Sequence, residues 1–231
     1  MKRNLYLFFL LTIIVLKSFS QPPQTWSVKS PNKNNTLVLS LQNGHLYYTV
    51  LFGSEVVIPH SSLGIETSID NFNVDMRILS SKKESINETY SLAAGKRKVN
   101  TARANEMIIT VANEKNSTIE LMLRAYDDGV AFSYGFTGIK QSFTIVKEYT
   151  NFSIPTKGTA WLQSYGLPAE WAPAYEAGYS LGAPIGENAP DTSGWCFPAL
   201  FNSKNNWILI TEAGLDKNFY GSHLAQGSRD G

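Results

Sequence analysis

Two short strings, Asp128-Gly129 and Asn43-Gly44, restrict this chain more than any other feature, because each lies between runs of alternating apolar residues. Asp-Gly and Asn-Gly suit the two-residue turns whose twist matches paired strands, since Gly reaches positive φ without a steric penalty. Arg124–Tyr126 therefore reads as the end of one strand, with a turn at Asp128-Gly129 and a return along Val130–Phe136. Leu37, Leu39 and Leu41 lead in the same way into Asn43-Gly44, and Leu46–Phe52 comes back. Met107–Ala112 and Ile119–Tyr126 continue the meander, and Trp207–Thr211 adds a late, wholly apolar strand. Alternation with period two is a sheet signal. No window gives a long amphipathic helix, so two antiparallel sheets packed face to face are the economical way to bury these side chains.

The N-terminus has a different character. Lys2 and Arg3 precede an apolar run, Leu5–Leu16, and small residues stand at Ser18 and Ser20. This pattern predicts a signal peptide over residues 1–20, cleaved after Ser20, with residues 21–231 as a single all-β domain. About twelve apolar residues are too few to span a bilayer, so no membrane span is expected once the leader is removed. The expected location is secreted or periplasmic. With Lys+Arg 20 against Asp+Glu 19 the formal net charge is +1, and nothing points to nucleic acid as a partner. Cys196 is the only cysteine, which excludes an internal disulfide and a thiolate zinc site. Between Trp195 and Phe197 it reads as a small buried hydrophobe.

From Gly158 to Pro198 the chain becomes rich in Gly, Pro and aromatic residues, among them Trp161, Tyr165, Trp171, Tyr175, Tyr179 and Trp195. Long ordered loops often carry function. Two readings are open: the rings line a carbohydrate site, with Trp161, Trp171 and Tyr175 as sugar contacts, or they fill the core or face an adjoining domain. Asp127-Asp128 is not a catalytic pair, because sequential residues in a strand point to opposite faces, whereas two carboxylates that act on one substrate come from separate elements. A turn role for Asp128 and an ion pair between Arg124 and a neighbouring Asp are expected instead. His45, His60 and His223 are scattered and read as surface or packing residues. Sequons begin at Asn34, Asn87, Asn116 and Asn151 and matter only in a host that glycosylates.

Several strings in sequence order carry a resemblance. They are Ser30-Pro-Asn32, Leu46-Tyr-Tyr48, Ser62-Leu-Gly-Ile-Glu66, Glu88-Thr-Tyr90, Gly95-Lys-Arg97, Asn105-Glu106, Arg124–Tyr134, Phe197–Phe201 and Ile210–Leu215. Together, over residues 25 to 220, they resemble the N-terminal domain of glycoside hydrolase family 97, which comprises secreted α-glucosidases and α-galactosidases. The resemblance implies an antiparallel β-super-sandwich of the galactose-mutarotase-like kind, placed before a catalytic barrel. It implies α-linked glucoside or galactoside oligosaccharides as the substrate class. It also implies a calcium ion to which this domain contributes one glutamate. Glu176, in Trp171–Glu176, matches that ligand, and Glu170 is the nearby rival. The acid and base carboxylates belong to the barrel, so this chain is expected to be a scaffolding and carbohydrate-binding part, not catalytic alone. Residues 191–231 resemble the domain without its final strands, so the expectation is of a chain truncated before the barrel. A free-standing carbohydrate-binding module and, further off, a sugar epimerase are the alternatives.

Overall fold

The structure is a computed structural model that describes residues 22–166, 178–190, 192–217 and 219–226. Among the described residues there is no helix, and every strand pairing is antiparallel. One sheet runs β1 (Gln24–Lys29), β2 (Asn35–Gln42), β3 (His45–Phe52), β4 (Glu55–Leu63) in order. A small sheet uses β5 (Ile65–Thr67) between β6 (Asn71–Phe72) and β11 (Ile145–Glu148). The second large sheet places β7 (Arg77–Ser91), β8 (Val99–Ala112), β9 (Thr118–Tyr126) and β10 (Gly129–Gly135) side by side. A fourth sheet has the order β13 (Ser180–Pro184), β12 (Gly158–Leu162), β14 (Ala199–Ser203), β15 (Asn206–Ile210). The result is the expected antiparallel β-super-sandwich.

Burial follows the pleat. On β8 and β9 Met107, Ile109, Val111, Ile119, Leu121 and Leu123 are buried, while Ile108, Thr110, Glu120 and Met122 alternate with them on the other face. Successive strand residues point to opposite faces, so one register sets the whole pattern. Leu37, Leu39, Leu46 and Tyr48 of the first sheet join the same core cluster, which continues through Ile154, Ala160, Leu162 and Phe201 into the fourth sheet.

The two glycine turns behave differently. Asn43 and Gly44 have φ of 51° and 76°, the mirror-image turn expected, and Gln42 pairs with His45 across it. A Cβ on Gly44 would stand 3.0 Å from the Asp75 backbone, so close approach as well as φ requires glycine. At the other hairpin the turn lies one residue earlier than expected. Gly129 is the first residue of β10, pairs with Tyr126, and is not in the left-handed region. Long-range bonds hold this turn instead. The Asn32 backbone N–H donates to the Asp127 carboxylate at 2.8 Å, and the Asn35 amide donates to the carbonyls of Tyr126 and Asp127 at 2.9 and 3.2 Å. Asn35 is itself buried, and its N–H donates to Ser30 Oγ. The strings Ser30-Pro-Asn32 and Asp127-Asp128-Gly129 thus form one clasp between the two large sheets.

The ion pair expected between Arg124 and a neighbouring Asp is also corrected. Arg124 Nε donates to the buried Glu106 carboxylate, its direct cross-strand partner, and Asp127 is occupied by Asn32. Burial works against the Arg124 charge, but hydrogen bonds to Glu106 and Tyr126 outweigh it and raise the guanidinium above its ordinary value. Strand pairing places Glu84 directly opposite Glu106 on its other side, with Lys82 bound to Glu84. Like charges directly opposite on a ladder repel, so each carboxylate keeps its own cation.

Candidate functional site

Leu162, the last residue of β12, pairs with Ser180, the first of β13, so residues 163–179 connect two neighbouring strands at one end of the fourth sheet. Main-chain bonds pin the β12 end of this connection. Tyr165 N–H donates to Gly194 O at 2.9 Å, and Cys196 N–H donates to Gln163 O at 2.8 Å. Trp195 and Leu224 exchange a reciprocal pair, 2.9 and 2.8 Å, which brings the C-terminal stretch against the same place. Gly194 makes this possible. Its φ is 85°, and a Cβ there would fall 1.9 Å from Leu224 O.

The aromatic residues divide by environment. Trp195 is buried, with its indole N–H donating to Glu187 O, and Cys196 beside it is buried as expected. Tyr165 stacks on His223 at 4.0 Å between centroids, a pairing that sequence spacing could not reveal because 58 positions separate the two (223 − 165). Trp161 lies on the outer face of the fourth sheet, 5.0 Å from Trp207. Glu170, Trp171, Tyr175 and Glu176 fall within residues 167–177, outside the described residues. His60 meets the edge of Tyr47, 3.9 Å between centroids, which is a packing role.

Other acidic residues are engaged by hydroxyl groups. Tyr149 donates to Glu66 at 2.7 Å, Tyr220 to Glu148 at 2.6 Å, and Ser222 to Glu212 at 2.5 Å. The bond to Glu66, with some burial, raises the Tyr149 phenol, and burial followed by the bond to Glu148 raises Tyr220. Tyr134 is set deeper. Its hydroxyl accepts from Gly64 N–H at 2.9 Å and meets Thr150 Oγ1 at 2.7 Å, and desolvation pushes it well above the ordinary tyrosine range. Among the described residues no group of three or more His, Cys, Asp or Glu is arranged to hold a metal. Asp127 and Asp128 belong to the clasp and its turn, not to a catalytic pair.

The described residues therefore define a scaffold, a super-sandwich that anchors one long aromatic connection at its β12 end. Residues 28–231 match the family model described as the glycosyl-hydrolase 97 N-terminal domain, and the chain belongs to that family. A probable retaining alpha-galactosidase of Streptomyces bingchenggensis (strain BCW-1) is 27% identical over 218 residues, covering 93% of this chain and 33% of that protein. The crystal structure of a beta-arabinopyranosidase superposes with a TM-score of 0.80 at 28% identity, over 89% of this chain and 34% of that one. A glycoside hydrolase family 97 enzyme from Pseudoalteromonas sp. strain K8, solved in complex with panose, gives a TM-score of 0.65 at 25% identity, covering 78% and 27%. The same enzyme with acarbose matches equally. This chain spans about a third of the length of the relatives it matches.

Proposed function

We propose that this chain is the N-terminal scaffolding domain of a longer, exported glycosidase acting on α-linked glucoside or galactoside oligosaccharides. It forms one wall of the active site and is not catalytic alone. The observation that carries this reading is the connection of residues 163–179, rich in Trp and Tyr and tied to the sandwich through Gly194, Trp195 and Leu224. Relatives named as an alpha-galactosidase and as a family 97 enzyme bound to panose support the substrate class. Within the connection, Trp171 and Tyr175 are the proposed sugar contacts. Glu176 would give one carboxylate to a calcium ion. Calcium takes six to eight oxygen ligands, so residues beyond the described ones must complete the shell. Residues 1–20 are the export signal under this proposal, with the mature protein starting at Gln21 in a secreted or periplasmic location.

Calcium titration calorimetry on the longer enzyme tests the metal reading. Glu176→Gln should weaken binding and turnover, and Glu170→Gln should do much less. Equal affinity in wild type and Glu176→Gln would remove the assignment. The 231-residue chain should show no turnover of p-nitrophenyl α-glucoside or α-galactoside with or without calcium, and turnover abolished by Glu176→Gln would place the chemistry here instead. Mass spectrometry of the exported protein should find Gln21 at its N-terminus; retention of residues 1–20 would refute the export signal.

A further inference from the structure

The fourth sheet has one buried face and one open one. Ala160, Leu162, Ala199, Phe201 and Ile210 point into the core. On the opposite face, pairing aligns Leu181, Trp161, Leu200 and Leu209 in one cross-strand row, and Pro184, Thr159, Asn202 and Trp207 in the next. Leu181 is 78% exposed, Trp207 62% and Leu209 60%. No residue of β12, β13, β14 or β15 carries a charge. Exposed edges in soluble proteins are guarded by charged side chains, bulges or Pro, and β7 follows this rule with Lys82, Lys83, Glu84 and Glu88 along its length. β15 carries no charged residue of its own; the Glu55 carboxylate accepts from Asn206 at its start, and its two outward side chains are Trp and Leu. A contiguous apolar surface of this kind marks an interaction site.

We propose that this face, centred on Trp161, Leu200, Trp207 and Leu209, is the surface on which the rest of a longer family 97 enzyme docks. The inference rests on the scaffolding role proposed above. Two observations select the occupant. The chain spans about a third of its relatives, so a family member of their length brings twice as much polypeptide again. The face is also wrong for a sugar. Carbohydrate sites place several polar groups around an aromatic platform, whereas Trp161 and Trp207 are flanked by leucines, with only Thr159 and Asn202 as polar side chains in the two rows. An uncharged, aliphatic and aromatic face matches the interior of an obligate protein interface.

Thiol labelling tests this directly, because Cys196 is buried and L209C adds one thiol at an open position. A maleimide reagent is applied to L209C in the 231-residue chain at low concentration and in the protein extended to the end of its reading frame. Labelling should be fast in the first and slower by about tenfold or more in the second, as local protection of a packed element requires. Hydrogen exchange of Trp207 and Leu209 amides in the unsubstituted proteins gives the same comparison without a mutation. Equally fast labelling and exchange in both would overturn the proposal, as would a reading frame that ends at Gly231. Protection in the short chain that grows with its concentration would assign the face to a second copy, and protection by panose would assign it to sugar; either overturns the inference. Slow labelling in a longer enzyme whose calcium affinity ignores Glu176→Gln would leave docking intact and remove only the metal reading.

Discussion

Replacing Tyr134 by Phe separates a hydrogen bond from a proton equilibrium at one atom. The hydroxyl accepts from Gly64 N–H and pairs with Thr150, and the mutant leaves the Gly64 donor without that acceptor. An unsatisfied buried donor costs about 1–3 kcal/mol, so Tyr134→Phe should lower stability by about 2 kcal/mol at pH 7. Alkaline pH then works against the wild type alone. The Tyr134 phenol is held above its unfolded value, which lies at roughly 10. Its stabilising effect is complete below that unfolded pKa and is lost as pH climbs toward the folded one. Between the two, the unfolded chain has released a proton that the native state still holds, and stability falls by about 1.4 kcal/mol per pH unit. Tyr48 is raised chiefly by its own burial, which both proteins share, and the charge of Tyr134 adds to it only once Tyr134 has ionised, so Tyr48 largely cancels below the folded pKa of Tyr134. Urea unfolding followed by Trp fluorescence should give a constant gap up to about pH 9.5 and a gap near zero at about pH 11.5. A difference that stays constant through pH 11.5 would refute the reasoning.

Asn35→Leu should cost about 2–4 kcal/mol, because two carbonyls of the Asp127 turn lose their donor; a lower urea midpoint at unchanged slope would show it, and an unchanged midpoint would contradict the clasp. Gly194→Ala should open the Trp195–Leu224 bridge, since its Cβ would collide with Leu224 O, and hydrogen exchange at the Leu224 amide should accelerate sharply; unaltered exchange would count against the bridge as the anchor of the connection. Arg124→Met should destabilise by about 2 kcal/mol by stranding the Glu106 carboxylate opposite Glu84, and adding Glu106→Met should restore most of the loss; a double mutant worse than the single would show that the pair is not coupled.

The hairpins were legible because their signals are local. Asn43-Gly44 carries its φ requirement in two residues, and the apolar alternation of Leu37–Leu41 and Ile119–Leu123 survives in the buried face. The Asp128-Gly129 turn was displaced by one residue because its geometry is held by Asn32 and Asn35, more than ninety positions away, and no local rule contains that bond. Strand β7 was not visible as a strand, since an almost wholly exposed edge needs no apolar period. The extension of β8 back to Val99 is not visible either, because among the described residues β7 alone pairs with it there. Trp207–Thr211 reads as wholly apolar, but the same letters describe an edge strand with one buried and one open face, and burial is a property of the neighbours. The anchors of the aromatic connection were hidden for the same reason: Tyr165, Gly194 and Leu224 meet only after the sheets have formed.

The open face and the aromatic connection belong to one mechanical unit. Trp161 and Leu181 are cross-strand partners on β12 and β13, and those two strands lead into and out of residues 163–179. Edge strands have few partners to resist fraying, and among the described residues β13 is bonded along one side only. A body seated on the Leu181–Trp161–Leu200–Leu209 row would lock β13 against β12 from outside, just where Gly182, at φ 76°, marks the shift in their register. Trp195 and Leu224 already hold the β12 end of the connection, beside Ser164. In the proposed longer enzyme, whatever stabilises the outer face also stabilises the two strands that lead into and out of residues 163–179. Under the two proposals, a sugar or calcium site on that connection would be coupled to the docked face through β12 and β13.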